Sequence, residues 1–378
     1  MTISAARPAA TTRKGYDAIP LYAPDPSRVA IDLSDNTNRW GIPPAAAREI
    51  QRALAGNLAR YPDAYADALK GAAARYLDAA PSMIVTGCGS DDVLDSAIRS
   101  FAEPGDRVAI LDPSFVMIPT LVRLNGLEPV SLPLDASYEV HVNRLLPGEV
   151  SVTYLCSPNN PTGTSLSNAR ATIAMALERT RGIVIMDEAY AEFAGESLVD
   201  LVADNERLVV VRTMSKAFGL ASLRVGYAVG SPSVVAEIEK SRGPFKVSAL
   251  AERAAVAALS EDVEWMKGQV AKAIESRERV TAALRGKGFA AIPSSANFLL
   301  VPVRQAPLVA RNMRAQGVAV RPFDALPSVS PALTATGGAA LRITVGPWTE
   351  MEAMLSALDE AAHMTSPVPA DGGADQCA

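Results

Sequence analysis

Along the chain, short apolar runs alternate with longer stretches in which apolar residues recur every three or four positions. PAAAREIQRALAGNLARYP sets Ile50, Leu54 and Leu58 at helical spacing; SMIVTG is a short apolar strand, DDVLDSAIRSFA an amphipathic helix, and DRVAILD a second strand. The alternation continues with VSVTYLCS as a strand, a helix around ATIAMALERTRG, and strands in GIVIMDE and RLVVVRTM. Continuous apolar strands separated by helices predict a largely parallel sheet covered on both faces. Near residue 250 the pattern changes. One long helical stretch from about 248 to 286 leads to strands in ANFLLVPV, GVAVRPF and LRITVG, and WTEMEAMLSALDEAAHM predicts a closing helix.

A chain of 378 residues is long for one core. The pattern divides it into an N-terminal arm (1–30), a large α/β domain (31–247), a smaller α/β domain (248–365) and a Pro/Gly/Ala-rich tail (366–378) expected to be disordered. The 49% apolar content suffices for both cores. With 36 Lys and Arg against 41 Asp and Glu, the net charge of −5 offers no general attraction to nucleic acid or an anionic membrane. No segment approaches the roughly 18 apolar residues of a membrane span, and MTISAARPAATTRKGYD lacks the apolar centre of a secretion signal. The three cysteines, Cys88, Cys156 and Cys377, are odd in number and lack metal-ligand spacing, so a reducing cytoplasm is expected. Only two histidines occur, His141 and His363, neither beside a polar cluster. A histidine-based metal site or a Ser-His-Asp triad is therefore not expected, and any catalytic proton needs another carrier.

In open α/β sheets, ligands bind beyond the carboxyl ends of the strands, so the residues that end each strand carry the candidate chemistry. After SMIVT come Gly87, Cys88, Gly89, Ser90 and Asp91 and then a helix. That turn is either an ordinary capped connection or an anion site at a helix N-terminus. After DRVAILD comes Phe115, able to lie on a planar ring or to join the core. VSVTYLCS runs into Pro158-Asn159-Asn160-Pro161-Thr162-Gly163, where Asn160 supplies an amide. GIVIMDEAY ends in Asp187, Glu188 and Tyr190; an acid at the end of a buried strand is costly unless a cation or hydrogen bonds offset it, or it caps a helix. Lys216 follows Asp187 after a second apolar strand, with Arg224 beyond it. One small molecule uses all five features: pyridoxal 5'-phosphate. Its aldehyde needs a lysine, its ring nitrogen a carboxylate, its phosphate a helix start with cations, its ring oxygen a donor and its face a stacking partner.

The set GCGSDD, SPNNPTG, MDEAY, SKAFGLASLRVGY and LRITVG resembles the fold-type I aminotransferases, most closely the histidinol-phosphate aminotransferase branch, over roughly residues 30 to 365. The resemblance implies that Lys216 binds the cofactor's aldehyde and later moves a proton. It also implies that Asp187 holds the ring nitrogen protonated, and that Asn160 and Tyr190 bond the ring hydroxyl. Gly89, Ser90, Asp91, Ser215 and Arg224 would hold the phosphate, and Phe115, where the family usually has Tyr, would cover the ring. LARYPD resembles the segment that crosses a two-fold axis, so Tyr61 would reach the other subunit's phosphate in a homodimer.

Arg342 resembles the arginine that binds a substrate carboxylate, and Arg321 a second one for a distal anion, with a surface position as the alternative. The N-terminal substrate segment departs from the family's Asn-Glu-Asn-Pro pattern: here it reads Asp35-Asn36-Thr37-Asn38-Arg39-Trp40-Gly41. Near the expected pocket this changes both charge and volume, with Asn38 and Trp40 as candidate substrate contacts. An aromatic, cationic or otherwise specialised side chain would suit it. Amino transfer between a small amino donor and an oxo-acid acceptor is the leading expectation. Decarboxylation, cyclisation or oxidation on the same cofactor, or a non-catalytic binding role, stay open at this level.

Overall fold

The structure is a computed structural model that describes residues 12–363 apart from 14, 24, 26, 57, 58 and 328. The expected tail and Leu58 thus lie outside the described residues, as does most of the arm's first half. Among the described residues the strands are β1 (Ile31–Asp32), β2 (Ile84–Cys88), β3 (Arg107–Asp112), β4 (Glu128–Pro133), β5 (Val150–Cys156), β6 (Thr180–Asp187), β7 (Leu208–Thr213), β8 (Val225–Val229), β9 (Phe298–Pro302), β10 (Val318–Ala319), β11 (Arg321–Phe323) and β12 (Ala340–Thr344).

Seven of them form the central sheet in the order β2-β8-β7-β6-β5-β3-β4. All neighbours in it are parallel except β8, which is antiparallel to both β2 and β7. Every residue of β5 and β7 is buried, as continuous apolar strands covered by helices must be. The mostly parallel α/β expectation therefore holds. Two strands of this sheet were not anticipated. β4 alternates imperfectly at the sheet edge, and β8 hides inside SKAFGLASLRVGYAV, a stretch whose polar residues obscure its period. Gly226 lets β8 run against the start of the helix Gly89–Ser100: a Cβ there would lie 2.2 Å from the Ser90 nitrogen.

The helix expected around Ile50, Leu54 and Leu58 spans Pro44–Leu54 and buries Ala45, Ala46 and Ala53 instead, leaving Leu54 61% exposed. Small side chains let it lie close against the helix Ala249–Glu261. The long stretch from 248 to 286 is two helices, Ala249–Glu261 and Val263–Gly286. The break falls at Asp262, whose carboxylate accepts from the Ala45 and Ala46 amides at 2.8 and 3.2 Å and so caps the N-terminus of the helix Pro44–Leu54. GVAVRPF is likewise two strands. β10 pairs with β1 in parallel, while β11 pairs with β12 in the antiparallel sheet β11-β12-β9, and the chain changes sheets at Val320.

Two apolar clusters result. The first fills both faces of the central sheet and takes in the helix Ala249–Glu261 and Met266, Val270 and Ala273 of the next helix. The second joins Val280 and Leu284 to β9, β12 and the closing helix Trp348–His363, and also includes Leu33. Residue 33 therefore packs with the smaller core, and residues 249–273 with the larger one. Chain order and core membership part company at both edges of the expected domain boundary because the helix Val263–Gly286 runs through both cores.

Candidate functional site

The carboxyl ends of β5, β6 and β7 lie side by side, with Cys156 registered on Asp187 and Asp187 on Val211. The loops that follow carry Asn160, Tyr190 and Lys216, so the parallel sheet brings together residues far apart in sequence. Asp187 is buried; its Oδ2 accepts from the Tyr154 hydroxyl at 2.8 Å and its Oδ1 from the Ala189 amide at 3.0 Å. Burial pushes its carboxyl up to about 6, against the pull of those two donors. The capping alternative for Asp187 is thus only a local amide bond; the short helix that follows begins after Tyr190.

Lys216 donates from Nζ to the Asp35 carbonyl at 3.0 Å and lies 5.9 Å from the centre of the Tyr190 ring. It is enclosed by protein while keeping some solvent contact. Desolvation, with the Arg342 charge next in effect, lowers its amine to about 8. Tyr190 is buried, packs edge-on against Phe298 at 5.1 Å and accepts from Asn36 Nδ2 at 3.0 Å, which leaves its own hydroxyl proton for another acceptor.

A third group gathers at the start of the helix Gly89–Ser100. Arg224 Nη2 meets Asp91 at 3.2 Å, its Nη1 reaches Ser215 Oγ at 3.5 Å, and its carbonyl accepts from the Gly89 amide at 2.9 Å. Gly89 has a φ of 78°, and a Cβ there would lie 2.4 Å from Arg224 Nη2. Ser90 occupies the same first turn, and no side chain caps that helix. The first turn of this helix and the guanidinium, met by the Asp91 carboxylate, thus share one corner.

From the smaller core, Arg342 on β12 donates Nη1 to Asn160 Oδ1 at 2.6 Å and Nη2 to the Ser34 carbonyl at 2.7 Å, while its buried Nε has no acceptor among the described residues. Arg321 is its cross-strand partner on β11 and donates Nη2 to Asp35 at 2.8 Å and to the Tyr22 hydroxyl at 3.0 Å. Arg321 is therefore no free surface cation.

The segment from Asn36 to Trp40 is held from several sides. Asn36 is buried at a φ of 54° and donates its amide to Thr344 at 2.9 Å. Asn38 Nδ2 donates to the Ala217 carbonyl at 3.0 Å, directly beside Lys216. Trp40 packs against both apolar clusters. Arg39 forms a two-bond pair with Glu350 at 2.9 and 2.8 Å, so the closing helix offsets the Arg39 part of the charge change expected near the pocket, while Thr37 stays neutral. Phe115 is half-buried against the larger core, and its loop is tied to the Asn159 side chain through Ser114 and the Pro113 carbonyl. Tyr61 stands apart, 84% exposed and stacked on Phe245 at 4.9 Å.

Among the described residues no group of acidic, Cys or His side chains could hold a metal, and no helix is long and apolar enough to cross a membrane. His141 pairs with Asp135 on the surface, and Cys88 and Cys156 are unpaired thiols. The sequence did not point to Tyr154, and it placed Asp35 and Asn36 in the expected substrate segment without giving either a role. Tyr154 carried one signal, a phenol within a strand otherwise free of aromatic side chains; Asn36 and Asp35 are placed by bonds to residues more than 150 positions away.

The aminotransferase class I and II family profile matches residues 28–358. A histidinol-phosphate aminotransferase of Geotalea uraniireducens is 35% identical over 92% of this chain and 96% of its own length. An aromatic amino acid aminotransferase of Thermobifida fusca is 35% identical over 82% of this chain and 89% of its own. Among solved structures, the histidinol-phosphate aminotransferase of Sinorhizobium meliloti in complex with pyridoxal-5'-phosphate superposes with a TM-score of 0.79 at 26% identity, covering 95% of this chain and 100% of that one.

Proposed function

This chain belongs to the aminotransferase class I and II family, and we propose that it transfers amino groups with pyridoxal 5'-phosphate held by the cluster around Lys216. The residues suit that cofactor. Asp187 is a buried carboxyl with two donors and no paired cation among the described residues, which a protonated ring nitrogen would supply. Gly89, Ser90, Asp91, Ser215 and Arg224 frame a corner for a phosphate, and Asn160 and Tyr190 retain donors for a ring oxygen. Phe115 is placed on a loop that can cover the ring.

When bound, pyridoxal phosphate stabilises negative charge at the substrate's α-carbon. Lys216 would hold it through Nζ and, with that nitrogen free, would carry the proton to and from the substrate's α-carbon. A lysine lowered to about 8 is roughly half neutral at pH 8, whereas an ordinary one is under about 1% neutral. Asp187 would hold the proton on the ring nitrogen. Arg342 seats the substrate's α-carboxylate, and the observation that carries the reading is its buried Nε, without an acceptor among the described residues and near enough to lower the lysine's pKa. Asn38 and Trp40 shape the wall next to Lys216. Tyr61 of the partner subunit completes the phosphate corner in a homodimer, for which its exposure is the support. The unpaired thiols support a reducing cytoplasm.

The test is the absorption spectrum of the loaded protein as glutamate and then other amino acids are added singly. Conversion of the cofactor to its amine form is expected with at least one donor, and its loss in Lys216→Ala. Full turnover by Lys216→Ala would sink the proposal; carbon dioxide or peroxide without conversion would replace amino transfer with another reaction.

A further inference from the structure

We propose that Asp35 sets the substrate class, admitting amines and oxo acids whose far end carries no negative charge. The inference rests on Arg342 as the seat of the α-carboxylate.

Asp35 touches both ends of the pocket. Its carbonyl accepts from Lys216 Nζ at 3.0 Å, and its carboxylate accepts from Arg321 Nη2 at 2.8 Å. Arg321 and Arg342 face each other across β11 and β12, so they project from the same side of the sheet. A substrate lying between Lys216 and Arg342 extends its far end toward Arg321. The guanidinium waiting there is already met by a carboxylate and by the Tyr22 hydroxyl.

An ion pair this open is weak in itself, since the two side chains are 23% and 56% exposed. Occupation of Arg321 is thus a small obstacle to an incoming anion. Repulsion, screened by the same solvent, adds to it. The backbone on either side of Asp35 is pinned: the Ser34 carbonyl accepts from Arg342 Nη2 at 2.7 Å, and the Asn36 amide donates to Thr344 Oγ1 at 2.9 Å. Only two side-chain torsions can move the carboxylate, which keeps it within a Debye length of about 8 Å of anything bound at Arg321. A phosphate or distal carboxylate would displace the pair and still face the same negative charge. A neutral far end leaves the pair intact.

Calorimetric titration of the loaded protein with succinate and succinamate tests this, because the two acids differ by one distal charge and neither requires turnover. Wild type is expected to bind succinate no more tightly than succinamate. Asp35→Ala and Asp35→Asn should each raise the succinate-to-succinamate affinity ratio about tenfold or more. A wild type that already prefers succinate tenfold, an unchanged ratio in both variants, or no binding of either acid to any form would overturn the proposal. Failure of amino transfer would instead appear as absence of cofactor conversion with every donor, whatever the binding ratio.

Discussion

Asp187 carries the largest electrostatic consequence at the scale of a single residue. Its carboxyl is raised from 3.8 to about 6 by burial. Between those values the unfolded chain releases a proton that the folded chain keeps, so this group's contribution to stability falls as pH rises through that window and levels off above it. Two pH units correspond to about 3 kcal/mol, an upper figure for the cofactor-free protein. Asp187→Asn removes the ionisation but keeps the shape. The cofactor-free variant should resist urea better than wild type at pH 8, by up to that amount, and show no such gain near pH 4, while turnover of the loaded enzyme falls by orders of magnitude. A stability difference equal at both pH values would refute the ionisation account. Asp187 and Lys216 were legible because each is a charged residue at the end of an apolar run, where burial is implied by its neighbours. Tyr154 was not, since a tyrosine in a strand is ordinary until its hydroxyl is seen on Asp187.

Elements fix how those residues meet. The helix Gly89–Ser100 begins beneath Arg224, and the positive φ of Gly89 with its contact to that guanidinium leaves no room for a side chain. Gly89→Ala should therefore weaken cofactor binding by about tenfold, on the order of 1.4 kcal/mol, measured by quenching of protein fluorescence on addition of pyridoxal phosphate. In an Arg224→Ala background the same change should cost much less, because the atom it collides with is gone. Equal losses in both backgrounds would mean that backbone strain alone is responsible. Element boundaries were less legible than element types. Nothing in the apolar period announces the break at Asp262 or the sheet change at Val320, because both are set by distant partners, the Ala45 and Ala46 amides in one case and β1 in the other.

For the whole molecule, the proposed two-fold assembly hangs on Tyr61. Its ring is 84% exposed and meets Phe245, itself 44% exposed, at 4.9 Å, so two neighbouring aromatic rings form one apolar spot on the surface. Sedimentation of the loaded enzyme is expected to give the mass of two chains. Tyr61→Ala should lower cofactor affinity several-fold while the dimer persists. A monomer that binds the cofactor as tightly as wild type would remove Tyr61 from the site. Whole-molecule organisation was only half legible: the two cores were expected, but the helix Val263–Gly286 contributes to both of them, and Leu33 belongs to the second.

Read alone, the amino-acid sequence dictates the alternation of buried strands and helices, the mostly parallel sheet, and which residues stand at the strand ends. Those are local properties: burial of a strand is written in consecutive side chains, and a parallel sheet puts all its carboxyl ends on one edge. Contacts between distant segments set the rest: Arg39 is neutralised by Glu350, Trp40 bridges two cores, and Asp35 stands between Lys216 and Arg321. Charge compensation is a matter of distance in space. For these residues the partners lie some 180 to 310 positions away along the chain, beyond the reach of any local pattern.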